Sequence, residues 1–596
     1  MKNNNKIKSI FLILVSVLAM VGCNKSFLDK YPETSMNQGS FFATPNDLSL
    51  YLNGLYGIIG ASMTDVTSDN ILSTADQYEY KLMRGEVTSA NVGSWGSNWT
   101  TIRNINFFLD NARKATGSQA DINNYVGVGR FFRAYQYYEM VKQYSNVPWF
   151  SHVITTSDSL SLYKTQAPRA FVVDSILSDL NYAVANIQDG TSKTRITKWT
   201  ALAGLARIAL QEGTMRKYHP ELGLSDGNRF LQIARDAALQ IINSGKFSIY
   251  KTNGSALHTK AYESLFNSAD LSTNPEMIMI KAYDLSLNVT TIFKNVFNNT
   301  SGLSRDLMED YLALNGNSAI PFQQVSGYDK LPFTGVFANR DPRLVQTFMQ
   351  PGYIAPGTTT ATIPKLEIGY VQEKYYPLTS DQIQLGGGTG FDDMPIYRLG
   401  ETYLIYAEAR AELGELTQAD LDKTINILRD RVQMPHATLS DWLANVDPRQ
   451  VSHYPNVTGN MQGAILEIRR ERRVELACEG FRWQDLMRWG VGKLAANNPQ
   501  GMYVPALGYL DVTGDGVPDM YIGATQADLS KVTSGSITKY SLDNALFSLS
   551  NGTYGYVQLK SQLNKYNFVE PKYYYKPIYD QDILTNPHLA QNSFWK

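Results

Sequence analysis

The sequence predicts a mainly α-helical protein in which tetratricopeptide-like helical pairs pack against a loop-rich half with short strands. Three observations lead there. Apolar residues recur at helical spacing in separate blocks, short connections join successive blocks, and two long stretches break the periodicity.

At the N-terminus, Met1 to Ser9 carries Lys2, Lys6 and Lys8 without an acid, and Ile10 to Gly22 is almost wholly apolar. These are the n-region and h-region of a signal peptide, and the apolar run is too short for a transmembrane helix. It ends in Met20-Val21-Gly22-Cys23. Small residues before such a cysteine resemble the bacterial lipoprotein signal, so residues 1–22 are expected to be removed and Cys23 to carry lipid. The alternative is an ordinary secretory signal with a chance cysteine. With Cys23 acylated, Cys478 is left without a disulfide partner, and the exported chain depends on its core.

Helical blocks follow. Between Arg130 and Tyr144, Phe131, Tyr135 and Tyr138 lie one or two turns apart, and Asn146-Val147-Pro148 stops the block. From Phe171 to Ile187, Val172, Ile176, Leu180 and Ala183 form one stripe after Pro168. From Trp199 to Gly213, Leu202, Leu205, Ala206 and Ala209 repeat the pattern, with Gly213 read as the residue just past the helix end. A fourth block runs from Phe230 to Asn243, and a fifth from Tyr397 to Gly414 carries Leu399, Tyr403, Tyr406 and Leu413. Short connections favour antiparallel hairpins, and small residues such as Ala203, Ala206, Ala407 and Ala411 let helices approach closely. From about 250 to 390 and from 495 to 560 the chain is rich in Gly, Asn, Ser, Thr and Pro, including Gly386-Gly387-Gly388-Thr389-Gly390. Long loops in a compact protein are functional sites or insertions, so the working surface is expected there and in the loops near residues 60 to 100. No linker or charge run divides the chain, which reads as one large unit.

Charge excludes some functions. Lys plus Arg is 54 against 55 for Asp plus Glu, so no basic field recruits nucleic acid or an anionic membrane face. The chain holds 37 Tyr, 24 Phe and 8 Trp; a surplus of Tyr and Trp beyond the core suits carbohydrate faces and peptide grooves alike. Signatures of familiar enzymes are missing: no HExxH, GxSxG, P-loop, GxGxxG or CxxC occurs. A glycosidase needs only two carboxylates distant in sequence, so that chemistry leaves no local trace.

Two segments concentrate charge. Between Ile465 and Trp489, Glu467 with Arg470, Arg472 with Glu475, and then Glu479, Arg482, Asp485 and Arg488 fall at spacings of three. Opposite charges on adjoining turns suggest a structural ion-pair girdle rather than an anion site. Asp511 to Asp519 resembles a calcium loop, with Asp511, Thr513, Asp515, Val517 and Asp519 as the ligand set and Gly516 at the turn. The position that should hold a bidentate Glu is Ile522, so an acidic turn stands as the equal alternative.

Several blocks together resemble the SusD/RagB lipoproteins of the Bacteroidota. They are Cys23-Asn-Lys-Ser-Phe-Leu-Asp-Lys-Tyr-Pro32, Phe131 to Trp149, Thr197 to Leu210, Pro395 to Ala409, Glu471 to Leu476 with Asp485 to Trp489, and Lys576-Pro-Ile with Asn586 to Asn592. These landmarks keep the family's order across essentially the whole mature chain. The resemblance implies one nutrient-binding unit over 23–596, with an N-terminal part over about 23–240 and a C-terminal part over about 270–596. It implies a non-enzymatic outer-membrane lipoprotein that faces the outside, gathers oligosaccharides and acts as the lid of a SusC-like TonB-dependent transporter. A peptide-binding RagB-like role is the alternative within the same architecture, and a surface glycoside hydrolase is the alternative outside it. No cofactor is required beyond the candidate calcium.

In the family the sugar face often uses aromatics from the loop before the first long helices. Here that loop holds Asp76, Tyr78, Tyr80, Arg84, Trp95 and Trp99. Trp99 begins a helix and is read as packing. Trp95, between Gly93 and Gly96, is the leading ligand residue, with Tyr78, Arg84, Asp76 and Tyr80 beside it.

Overall fold

A computed structural model of the chain describes residues 41–155, 158, 162–253, 260–287, 289–292, 300–377, 389–533 and 535–596. The signal segment 1–22, Cys23 with the following stretch to Pro32, and Gly386 to Gly388 lie outside the described residues.

The N-terminal half is built from helices α1 (Pro45–Asn53), α2 (Tyr78–Met83), α3 (Gly96–Ala112), α4 (Gln119–Tyr144), α5 (Arg169–Asn186), α6 (Lys198–Tyr218) and α7 (Gly227–Asn243). Their starts follow from local chemistry. Thr44 and Thr197 close capping boxes before α1 and α6, Ser118 caps α4 through the Asp121 N–H, and Pro168 precedes α5. Neighbours pack in succession, α3 on α4, α4 on α5, α5 on α6 and α6 on α7. This is the expected tetratricopeptide-like array.

Small residues set its spacing. A Cβ on Gly204 would stand 2.6 Å from the Phe131 ring, so α4 and α6 meet only because that position is bare. Gly213 corrects the sequence reading: α6 continues through it to Tyr218, and the glycine is kept inside the helix because Leu231 of α7 packs against it.

The C-terminal half adds α8 (Arg305–Asp310), α9 (Leu399–Glu412), α10 (Gln418–Lys423), α11 (Ile425–Arg431), α12 (Leu439–Ala444), α13 (Pro448–His453), α14 (Gln462–Glu475), α15 (Arg482–Arg488) and α16 (Asp580–Thr585). Short strands connect them. β1 (Ile71–Ser73) pairs with β4 (Ser301–Leu303), β2 (Met277–Lys281) with β8 (Met394–Arg398), β3 (Thr291–Ile292) with β7 (Thr389–Gly390) and β5 (Ala313–Asn315) with β6 (Ser318–Ile320); all run antiparallel. Two three-stranded sheets complete the loop-rich half. β13 (Phe547–Leu549), β14 (Gly555–Leu559) and β9 (Gln500–Val504) form one, and β10 (Gly508–Leu510), β11 (Met520–Gly523) and β12 (Thr538–Ser541) the other. One apolar core runs through the helical array and a second lies under the strands. Among the described residues no helix is long and apolar enough to cross a membrane.

The charged segment fills the seam between these cores. Glu475 is fully buried and accepts from Arg398 at 2.8 Å, from Arg343 at 3.2 Å and from Arg431. Arg398 also donates to Glu479 at 2.7 Å, and Arg343 to Asp341 at 2.7 Å. Arg482 reaches Asp69 at 2.6 Å, Arg473 reaches Asp310 at 2.6 Å, and Arg488 reaches Glu408 at 2.8 Å. Of the pairs expected from spacing, Glu467 with Arg470 and Asp485 with Arg488 form. Arg472 instead pairs with Asp485, and Glu479 and Arg482 pair with distant residues. Within α14, Glu475 is instead taken by Arg343, Arg398 and Arg431; beyond it the helix breaks, since Cys478 (φ +66°) and Gly480 (φ +81°) turn the chain between α14 and α15, and the three-residue spacing no longer places Glu479 and Arg482 on one face. The network is therefore a tertiary clasp. Cys478 is buried and free.

Burial alone would raise these carboxyls, but Arg431, Arg398 and Arg343 hold Glu475, and Arg449 and Arg473 hold Asp310, well below the usual carboxylate range. Groups depressed in the folded state stabilise it above the unfolded value of about 4 and lose that contribution as pH falls. Asp65 and Glu467, which burial lifts, act in the opposite sense. Depressed groups predominate, so the melting temperature is expected to fall steeply below about pH 4. A flat profile between about pH 7 and about pH 3 in scanning calorimetry would contradict this.

Candidate functional site

Helix α2 starts after extended Gln77 and ends in a motif that shapes the surface beside it. Gly85, at φ +74°, donates to the Leu82 carbonyl at 2.9 Å, and Glu86 donates to the Lys81 carbonyl at 2.9 Å. This is a Schellman end, and the left-handed position needs glycine. It brings Glu86 back beside Arg84. The Arg84 guanidinium then donates to Glu86 at 2.7 and 2.8 Å and to Asp76 at 2.7 Å. Lys81 adds a longer contact to Asp76 at 3.5 Å.

An aromatic pair adjoins this trio. Tyr80 and Tyr566 stack in parallel, 5.3 Å apart at 8°. Tyr80 is 3 % exposed, so Tyr566, which is partly exposed, is the outer ring. Burial pushes the Tyr566 hydroxyl up, and the nearby Gln562 amide and Arg84 guanidinium pull against it. The loop carrying Tyr566 is tied to α2 where the Asn567 N–H donates to the Met83 carbonyl at 2.9 Å. Thr74 donates to the Thr300 carbonyl at 2.8 Å, which fixes the other border to β4.

The result is a polar and aromatic shelf. Its two cations and two carboxylates balance, which suits a neutral ligand. Asp76 and Glu86 offer acceptors for hydroxyls, Arg84 offers donors in a plane, and Tyr566 offers a ring. Arg84, through its hydrogen bonds, also holds the carboxyls of Asp76 and Glu86 below the usual range. Neither carries a proton at neutral pH, and a glycosidase acid needs the reverse.

The structure divides the sequence-predicted residues. Asp76, Tyr80 and Arg84 come together on the shelf, with Tyr80 as the layer beneath Tyr566 rather than a contact surface. Tyr78 lies two residues from Tyr80 on the same helix and so on the opposite face, where with Leu82 it borders a cavity. Trp95 is corrected outright. It is 5 % exposed and packs edge-on against Trp99 at 5.2 Å and Tyr144 at 5.0 Å. Its backbone N–H donates to Asp582 of α16 at 3.2 Å, and the Ser94 hydroxyl donates to the same carboxylate at 2.7 Å. The loop is pinned, and no face of the Trp95 indole is open to a ligand. Trp99 packs on Phe150 at 5.5 Å.

Sequence reasoning missed Glu86 and Tyr566. Gly85 after a short apolar helix signals the turn that returns Glu86, whereas Tyr566 sits in a polar stretch without periodicity.

The acidic loop turns its carboxylates on its own backbone. Asp511 accepts from Gly514 at 2.6 Å and Gly516 at 2.8 Å, Asp515 from Val517 at 2.8 Å, and Asp519 from Val512 and Thr513 at 2.9 Å each. Among the described residues no cluster of three or more His, Cys, Asp or Glu is placed to hold a metal.

Comparison with known proteins agrees along the chain. The sequence pattern of the SusD family matches residues 293–595, and that described as "Starch-binding associating with outer membrane" matches residues 26–210. A SusD-like protein P2 of Formosa agariphila is 22 % identical over 509 residues, covering 82 % of this chain and 91 % of its own length. Among solved structures, a SusD-like carbohydrate binding protein of Bacteroides fragilis superposes with a TM-score of 0.65 at 20 % identity, covering 92 % of this chain and 100 % of that one. A laminarin-binding SusD-like protein superposes with a TM-score of 0.51 at 16 % identity, covering 92 % and 99 %. Similarity at this level speaks for the fold.

Proposed function

This chain belongs to the SusD family, and from that premise we propose that it binds extracellular carbohydrate at the outer membrane and passes it to a transporter without altering it. The observation that carries the reading is the pair of family matches, one named for starch binding at the outer membrane, over most of the chain. The laminarin-binding relative supports a glycan as ligand. The shelf supports it chemically, since balanced charge, planar donors and a partly open ring suit neutral sugars.

Lipid on Cys23 tethers the protein, and a TonB-dependent transporter is the partner over which it closes as a lid. Outer-membrane fractions test both ideas together. A fatty-acid label lost in Cys23→Ser and a co-purifying transporter are expected; a label that survives the substitution, or isolation without any transporter, contradicts them. Binding itself is tested by affinity electrophoresis in gels cast with neutral polysaccharides. Retarded migration in at least one gel is expected, and unchanged mobility in all of them overturns the reading.

A further inference from the structure

The face of α2 turned away from the shelf borders a cavity of about 240 Å³ whose lining includes Tyr78, Glu79, Trp483, Gln484, Tyr573 and Lys576. It exceeds the roughly 150 Å³ that encloses a benzene-sized molecule. Its polar side chains are mostly committed, Tyr574 to Glu570 and Tyr575 to Glu221, while among the described residues Tyr78, Glu79 and Lys576 make no such pairing. The Tyr78 hydroxyl is buried with no hydrogen-bond partner. The Lys576 ammonium stands 4.4 Å from the centre of the Tyr78 ring, yet among the described residues no ion pair joins it to Glu79 or to any other carboxylate. Lys142 on the same wall, by contrast, is paired with Glu139 at 2.6 Å. Burial pushes Glu79 up and Lys576 down, each toward its neutral form, and their mutual attraction only partly opposes this.

A half-buried carboxylate and ammonium that line one cavity without an ion pair leave hydrogen-bonding capacity that a bound group can meet. A ligand hydroxyl donates to the one and accepts from the other. A charged ligand group would be attracted by one of the pair and repelled by the other, with no net gain against its own desolvation, so the balanced pair favours a neutral ring. Trp483 and Tyr573 supply aromatic surface for the carbon skeleton. A neighbouring cavity of about 280 Å³ shares Glu139, Lys142 and Gln484 with this one, so a substituent on the bound ring has room to continue.

We propose that this cavity is a second ligand site, separate from the shelf, for a single neutral polyhydroxylated ring of pyranose size, held by Glu79 and Lys576 through its hydroxyls. The site stands on its own lining and does not depend on how the shelf is read.

The test uses the purified protein with glucose, galactose and xylose as neutral probes and glucuronate and glucosamine as charged ones, read by the NMR shift of the Trp483 indole N–H, which Trp483→Phe assigns. Saturable millimolar binding of at least one neutral sugar is expected, with both charged analogues about tenfold weaker or worse. Glu79→Gln and Lys576→Met should each weaken the neutral sugar about tenfold, while the shelf variants Arg84→Ala and Tyr566→Ala leave it unchanged. A Trp483 signal that no neutral sugar moves in the unaltered protein overturns the proposal whatever the variants do. Tighter binding of a charged analogue, or sensitivity to the shelf variants but not to Glu79→Gln and Lys576→Met, overturns it as well.

Discussion

Replacing Glu475 with alanine is expected to remove about 3–5 kcal/mol of stability, a large share of the about 5–15 kcal/mol typical of a folded domain. The carboxylate is fully buried and serves Arg343, Arg398 and Arg431 at once. Partners remain for each, Asp341 and Glu471 for Arg343, and Glu276 for Arg398 and Arg431. Even so, Glu479 also serves Arg398 and Lys374, and Glu471 also serves Arg429, so five cations then share four carboxylates in a place water does not reach. The cost comes from the cations left behind more than from the bonds lost. Glu475→Gln keeps the shape and an acceptor but not the charge, and should fall between alanine and the unaltered protein. Urea unfolding monitored by tryptophan fluorescence measures both. An unchanged midpoint for Glu475→Ala would contradict the view that the clasp is cooperative, and Arg84→Ala on the exposed shelf provides the contrast, expected to cost about 1 kcal/mol or less.

Gly463→Ala sets two effects against each other. Alanine is the better helix former by about 1 kcal/mol, so propensity alone predicts stabilisation in α14. Yet a Cβ at this position would lie 1.9 Å from the Trp442 carbonyl oxygen and 2.9 Å from its carbon. These are backbone atoms of α12, which cannot rotate away as a side chain could. Helices α12 and α14 must separate, and overpacking of this kind costs about 1–3 kcal/mol or more. The clash is expected to win, with a net loss of about 2 kcal/mol. A higher melting temperature in Gly463→Ala would show that α12 is loosely held.

The helical array was legible because period-3.6 spacing is a local property. The blocks around Val172 and Phe230 match α5 and α7 closely. Boundaries failed where tertiary contacts overrode local signals. Tyr397 shares the spacing of the fifth block but belongs to β8, because pairing with β2 holds residues up to Arg398 extended. Gly213 looked like an end and is a contact. Site residues were harder still. Five candidates share one loop in the sequence, yet helix geometry sends Tyr78 and Tyr80 to opposite sides, and Asp582, far along the chain, fixes Trp95 in the core. The partner that completes the shelf, Tyr566, lies outside any block that spacing could connect to α2. Paired charges between Ile465 and Trp489 were visible as composition, whereas their actual partners depend on a turn at Cys478 and Gly480 that three-residue spacing does not reveal.

Isothermal titration of the purified protein against neutral polysaccharides, with a peptide digest alongside, tests carbohydrate capture at the shelf most directly when repeated on Arg84→Ala and Tyr566→Ala. The expected result is binding of at least one polysaccharide, weakened about tenfold or more in each variant, with each variant still folded at the temperature of the titration. Binding of peptides alone, or polysaccharide binding that both variants retain in full, would contradict it.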